Sequence, residues 1–295
     1  MPKLQSNGLE FEYDSFGEPS GRPLLLVMGL GTQMIAWDSE FCEALVDRGH
    51  YVIRFDNRDI GLSSKLDDQP TPSLIELMPK ILAGESVEVP YRLADMADDA
   101  IGVLDALEIP AAHIVGASMG GMIVQCMALQ ARDRVRSMTS IMSTTGRRDL
   151  PPAKPEAMAR LMLPPQTERD AIIEQSLETQ RVIGSPGFPF DEARARERAS
   201  TGYDRSFYPA GSLRQIAAIT ASPPRDEALR SLELPTLVIH GEADPLVPVA
   251  GGRDTHECIE NSEWLLIEGM GHDLPKGAWP QIVDGISKLT ERSSH

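Results

Sequence analysis

At 295 residues the chain suits one large domain, or one domain with an insertion, and can bury enough surface to fold without a disulfide or metal staple. Its 28 Lys and Arg against 44 Asp and Glu give a formal net charge of −16. Such a surface repels phosphate backbones and anionic headgroups and argues against a nucleic-acid or peripheral-membrane protein.

The opening segment, MPKLQSNGLEFEYD, has no apolar stretch suited to a signal peptide, and within it Leu9–Tyr13 alternates as an antiparallel edge strand would. Leu24–Met28 reads as a buried strand that ends at Gly29-Leu30-Gly31, and Ala36–Arg48 as the helix after it. Tyr51–Phe55 is the next strand, with Asp56, Arg58 and Gly61 in its exit turn, where Asp56 and Arg58 suit an ion pair. A proline-rich loop holding Pro70, Pro72, Pro79 and Pro90 leads to a helix over Leu93–Leu107.

From Ile109 to Ala131 there is no Asp, Glu, Lys or Arg, a length that would span a bilayer. Pro110, His113, Ser118, Gly120-Gly121 and Gln125 interrupt it, so it reads as a strand at Ile114-Val115, a turn, and a helix over Met119–Gln130. Val135–Met142, Thr236–His240 and Trp264–Ile267 supply three more strands, and Trp279–Leu289 a final helix. Strands alternating with amphipathic helices specify a parallel sheet covered on both faces. Between Pro151 and about Asp226 the pattern changes: ten of the 23 prolines fall there, the helices are short and rich in Arg and Glu, and no strand stands out. The division this implies is a core over 1–148, a helical cap over 149–226 and the rest of the core over 227–295.

The cysteines, Cys42, Cys126 and Cys258, are odd in number and lack Cys-x-x-Cys spacing, as expected of reduced packing residues in a cytoplasmic protein. The chemistry concentrates at Gly116-Ala117-Ser118-Met119-Gly120. A strand before it, a helix after it and small residues throughout are the context of a nucleophile elbow, which lifts a serine hydroxyl above the sheet. A serine that merely caps the helix is the plainer alternative.

A serine nucleophile needs a base, and the base an orienting carboxylate. Of six histidines, His113 and His240 lie in buried strands, His50 in a turn, His256 in an acidic helix and His295 at the end. His272, in the tight loop Gly269-Met270-Gly271-His272 past a strand, is placed where open α/β sheets build their sites. Asp244 follows another strand end, and the order Ser118, Asp244, His272 is that of the α/β hydrolases; Glu242 and Asp273 are less well-placed rivals. The oxyanion donors expected are the backbone N–H groups of Met119 and Leu30. Met28 and Gly29, and Phe188 and Phe207 from the cap, are expected to line the substrate pocket.

Taken together, VMGLGTQMIAW, RFDNRDIGLSSK, DMADDAIGVLDALEI, HIVGASMGGMI and GMGHDLP resemble α/β-hydrolase serine esterases, and more narrowly bacterial aclacinomycin methylesterase-like and lipase G-like hydrolases. The resemblance implies an eight-stranded, mostly parallel sheet flanked by helices, with a helical cap after the sixth strand. It implies cofactor-independent hydrolysis of a small-molecule carboxylic ester; the charge, the lack of any metal-ligand spacing and the interrupted apolar run add the expectation of no nucleic acid, no metal and no integral membrane segment. The same residues also suit a thioesterase, a C–C hydrolase, a perhydrolase or a non-catalytic ligand-binding protein of this fold.

Overall fold

Eight strands form one sheet in the computed structural model, which describes residues 2–164 and 166–293. His295, the last of the six histidines, lies outside them. In chain order the strands are β1 (Lys3–Ser6), β2 (Leu9–Phe16), β3 (Arg22–Val27), β4 (His50–Phe55), β5 (Ala112–Ala117), β6 (Val135–Ile141), β7 (Thr236–Gly241) and β8 (Glu263–Ile267). Their order across the sheet is β1-β2-β4-β3-β5-β6-β7-β8. Only β1 with β2 and β2 with β4 run antiparallel, and the other neighbours are parallel.

The helices are α1 (Ser39–Val46), α2 (Leu74–Leu82), α3 (Leu93–Ala106), α4 (Met119–Gln130), α5 (Pro155–Leu161), α6 (Arg169–Ile183), α7 (Glu192–Arg205), α8 (Pro209–Ala221), α9 (Asp226–Leu229), α10 (Val249–Cys258) and α11 (Trp279–Arg292). Apolar residues on both strand faces make both faces of the sheet dry. One carries Leu25, Val27, Ile53 and Ile114 under α3 and α4. The other carries Leu24, Leu26, Val52 and Ile239 under α1 and α11. Parallel strands need this double cover, because their crossover helices lie on both sides.

The structure corrects the sequence reading in several places, and the helices expected to be short between Pro151 and Asp226 include α6, α7 and α8, of 15, 14 and 13 residues. Strand β1 is missing from that reading, because four residues pairing with β2 as KLQS carry little apolar signal. The proline-rich loop contains α2, with Pro79 inside it. The bond that Pro79 removes falls on a surface helix, where Ile75 is 86% exposed and water can take the freed carbonyl. The helix expected over Ala36–Arg48 starts later, at Ser39, with Asp38 capping it through the Glu40 N–H. His50 is no turn residue: it is buried at the start of β4 between the Leu45 carbonyl and the Thr290 hydroxyl, and burial lowers its pKa to about 4.

Candidate active site

Because β3, β5, β7 and β8 run parallel, their carboxyl ends share one edge of the sheet, and the loops that leave them meet there. Ser118 stands between β5 and α4 with φ 56° and ψ −119°, a conformation that costs a non-glycine residue about 1–3 kcal/mol. Its surroundings enforce that turn. A Cβ on Gly116 would collide with the Gly120 backbone, and one on Gly120 with the Val27 carbonyl, so helix and strand meet only through glycine. The Ser118 N–H bonds the Ile141 carbonyl at 2.9 Å, and its own carbonyl accepts the Ser143 hydroxyl at 2.8 Å. Its hydroxyl is thereby held at the amino end of α4.

His272 Nε2 lies 2.9 Å from Ser118 Oγ, and His272 Nδ1 lies 2.7 Å from Asp244 Oδ2. A carboxylate only accepts, so Nδ1 carries the proton and Nε2 presents a lone pair to the serine hydroxyl. Asp244 is fixed in turn: Oδ1 accepts the Leu246 and Val247 N–H groups at 2.8 and 2.9 Å. His240, buried behind it, donates Nε2–H to the Val247 carbonyl at 2.8 Å, and burial lowers its pKa. Of the rival acids, Glu242 faces solvent and Asp273 bonds the Ser185 hydroxyl.

The loop after β3 closes the other side. A Cβ on Gly29 would come within 3.1 Å of Ser118 Cβ, so the Gly29 backbone packs directly on the serine. The Met28 carbonyl accepts Asn57 Nδ2–H at 2.9 Å, and the Gly31 N–H bonds Gln215 Oε1 at 2.9 Å. Leu30 is held between these two anchors. The Met119 N–H belongs to the first turn of α4, where a helix provides no acceptor of its own. Among the described residues no group of three or more His, Cys, Asp or Glu has the geometry to hold a metal ion, and no helix is long and apolar enough to cross a membrane.

Residues 22–276 match the family described as the alpha/beta hydrolase fold. The chain belongs to that family. It is similar to the rhodomycin D methylesterase DnrP of Streptomyces peucetius, 30% identical with 95% of each chain covered. It is also similar to DauP, the rhodomycin D methylesterase of Streptomyces sp. strain C5, 29% identical over the same shares. Among solved structures, the meta-cleavage product hydrolase CumD from Pseudomonas fluorescens IP01 superposes with a TM-score of 0.75, covering 99% of this chain and 98% of its own at 22% identity, a likeness of fold. The protein is accordingly an enzyme, a hydrolase of the alpha/beta class.

In this hydrolase the helices between β6 and β7 are tied to the loops at the active edge. Arg205 of α7 reaches Asp56 at 2.8 Å, and Asp56 also accepts the Met34 and Leu62 N–H groups. Arg214 of α8 forms a buried two-bond pair with Asp59, both at 2.8 Å. The Asp56–Arg58 pair expected from sequence does not form: Arg58 turns to Asp99, and Asp56 instead anchors α7.

The expected pocket residues fare differently. Met28 is buried in the core face beneath the site. Phe188 packs against that same core, with its ring over Gly277. Phe207 is 43% exposed and stacks on Tyr203, with centroids 5.2 Å apart. Sequence reasoning missed Asn57, Ser143, Ser185 and Gln215. Each is an ordinary polar residue whose importance lies in a partner 25 to 184 residues away.

Proposed function

We propose that this enzyme hydrolyses a carboxylic ester through an acyl-enzyme, with Ser118 as nucleophile, His272 as base and then acid, and Asp244 as the orienting carboxylate. The observation that carries the reading is the unbroken chain of contacts Ser118 Oγ, His272 Nε2, His272 Nδ1 and Asp244 Oδ2, at 2.9 and 2.7 Å. As Ser118 Oγ attacks the ester carbon, its proton passes to Nε2, and Asp244 stabilises the imidazolium. The Met119 and Leu30 N–H groups receive the developing oxyanion. The tetrahedral adduct collapses as His272 returns the proton to the departing alkoxide, and an alcohol leaves. Water, activated by the same imidazole, then attacks the acyl-serine and releases the acid.

The segment 149–226 acts as the cap that screens this chemistry from solvent, supported by the Arg205–Asp56 and Arg214–Asp59 ties to the core. The substrate class is a small to medium apolar ester. The two methylesterase relatives favour a methyl ester of a larger acid over a long-chain lipid. The test combines a fluorophosphonate probe, which reacts with an activated serine, and a hydrolysis panel of methyl, acetate, longer acyl and thioester substrates. Labelling confined to Ser118, with turnover of oxygen esters and methyl esters among the best, is expected. A chain that neither labels nor turns over any of them is a ligand-binding protein of this fold. Thioesters cleaved well ahead of oxygen esters would reassign the bond.

A further inference from the structure

The loop that carries His272 leaves β8, the last strand of the sheet, so it has a neighbouring strand on one side only. On the β7 side the Ala243 N–H bonds the Met270 carbonyl at 2.9 Å. On the other side the chain just past α6 takes the place of the missing strand. The His272 N–H bonds the Ile183 carbonyl at 2.7 Å, and the Gly187 N–H bonds the Gly269 carbonyl at 2.9 Å. Between these two, the Ser185 hydroxyl accepts the Gly271 N–H at 2.8 Å and donates to Asp273 Oδ1. The approach is too close for side chains: a Cβ on Gly187 would lie 2.7 Å from Gly269 Cα, and one on Gly271 would meet the Gly184 carbonyl. Asp273 is half-buried, and loss of water raises its pKa in spite of the Ser185 hydroxyl and the nearby Arg198.

Resting on the assignment of His272 as the base, we propose that Ser185 is a positioning residue for the reaction. It is the side-chain member of a clamp by which the end of α6 holds the His272 loop in register with Ser118. Its hydroxyl satisfies the N–H before the histidine and the carboxylate after it, so one side chain fixes the backbone on both sides of the base. The other two bonds of the clamp are backbone to backbone and survive any substitution. Removing the hydroxyl loosens the loop without dismantling it.

The experiment measures kcat and KM on a minimal acetate ester for Ser185→Ala, Ser185→Thr and His272→Ala. Active sites are counted by phosphonate titration, so that rates refer to folded enzyme. Ser185→Ala is expected to lose on the order of ten- to a hundredfold in kcat, the scale of a misplaced catalytic group, with KM changed by no more than about twofold. Ser185→Thr, which keeps the hydroxyl, is expected to recover most of that loss. Wild-type kcat per site in Ser185→Ala overturns the clamp, as does a Thr variant no better than Ala. The underlying assignment is judged separately: His272→Ala as active as wild type sinks it and the clamp together. An inactive His272→Ala beside a fully active Ser185→Ala sinks the clamp alone.

Discussion

Three side chains bear the proposed chemistry, and their contacts rank the losses expected on removing each. Ser118→Ala deletes the proposed nucleophile and His272→Ala the imidazole bonded to it, so each is expected to lower kcat by about 10⁶-fold, since such a triad acts as a unit. Asp244→Asn keeps the shape but offers His272 Nδ1 an amide that favours the wrong tautomer, so about 10⁴-fold is expected. Glu242→Gln, on an exposed side chain, is expected to stay near wild type in the same assay. A wild-type rate in Asp244→Asn with collapse in Glu242→Gln would reverse the assignment of the acid. The meeting of these three residues was legible in the sequence because each follows a strand, and parallel strands deliver their exits to one edge. Gln215 and Ser185 were not legible, since nothing local marks a glutamine or a serine whose partner lies 184 or 86 residues away.

At the level of elements, α8 reaches across the active edge through Gln215. Its Oε1 accepts the Gly31 N–H and its Nε2 donates to the Arg58 carbonyl at 3.0 Å, so a fully buried amide ties the β3 loop to the β4 loop. Gln215→Ala removes both bonds and takes the partner from the buried Arg58 carbonyl, a loss of about 1–3 kcal/mol in stability. Because Leu30 directly precedes Gly31, its N–H also loses its aim, and a tenfold or greater fall in kcat at little-changed KM is expected. Urea denaturation and steady-state kinetics on one short ester check the two effects. A destabilised variant with wild-type kcat per titrated site would show that Leu30 is not a donor to the oxyanion. Where a long uncharged stretch runs from strand through glycine turn to helix the reading held: α4 has the bounds expected from sequence. The reading failed at β1, where KLQS carries little apolar signal, and at α2, whose amphipathic run lies among prolines and holds Pro79 inside it. Phe188 packs on the core and Phe207 on Tyr203, since an apolar residue in this segment has the core and other rings to pack on as well as a pocket.

For the whole molecule, the buried histidines set how folding responds to acid. Burial lowers His113 to about 3 and His50 to about 4, against roughly 6.5 in an unfolded chain. Between those values the unfolded chain binds protons that the folded one refuses. Their contribution is therefore complete above about pH 6.5 and is lost as pH falls, by about 2–3 kcal/mol each at pH 4.5. The urea midpoint is expected to drop steeply from pH 7.5 to 4.5, and His113→Gln to flatten part of that slope. An identical slope in wild type and variant would remove His113 from the account.

The serine and histidine that meet at the active edge are 154 positions apart in the chain, and the aspartate precedes the histidine by only 28. On a ribosome adding about 5–20 residues per second, the proposed nucleophile is made roughly 8–30 s before its base. On the proposed mechanism the serine is an ordinary alcohol through that interval, and it gains its base only once the last strand has docked beside its neighbour. With the proposed base in the loop after the outermost strand, a copy that stops short of that loop carries the proposed nucleophile without its base.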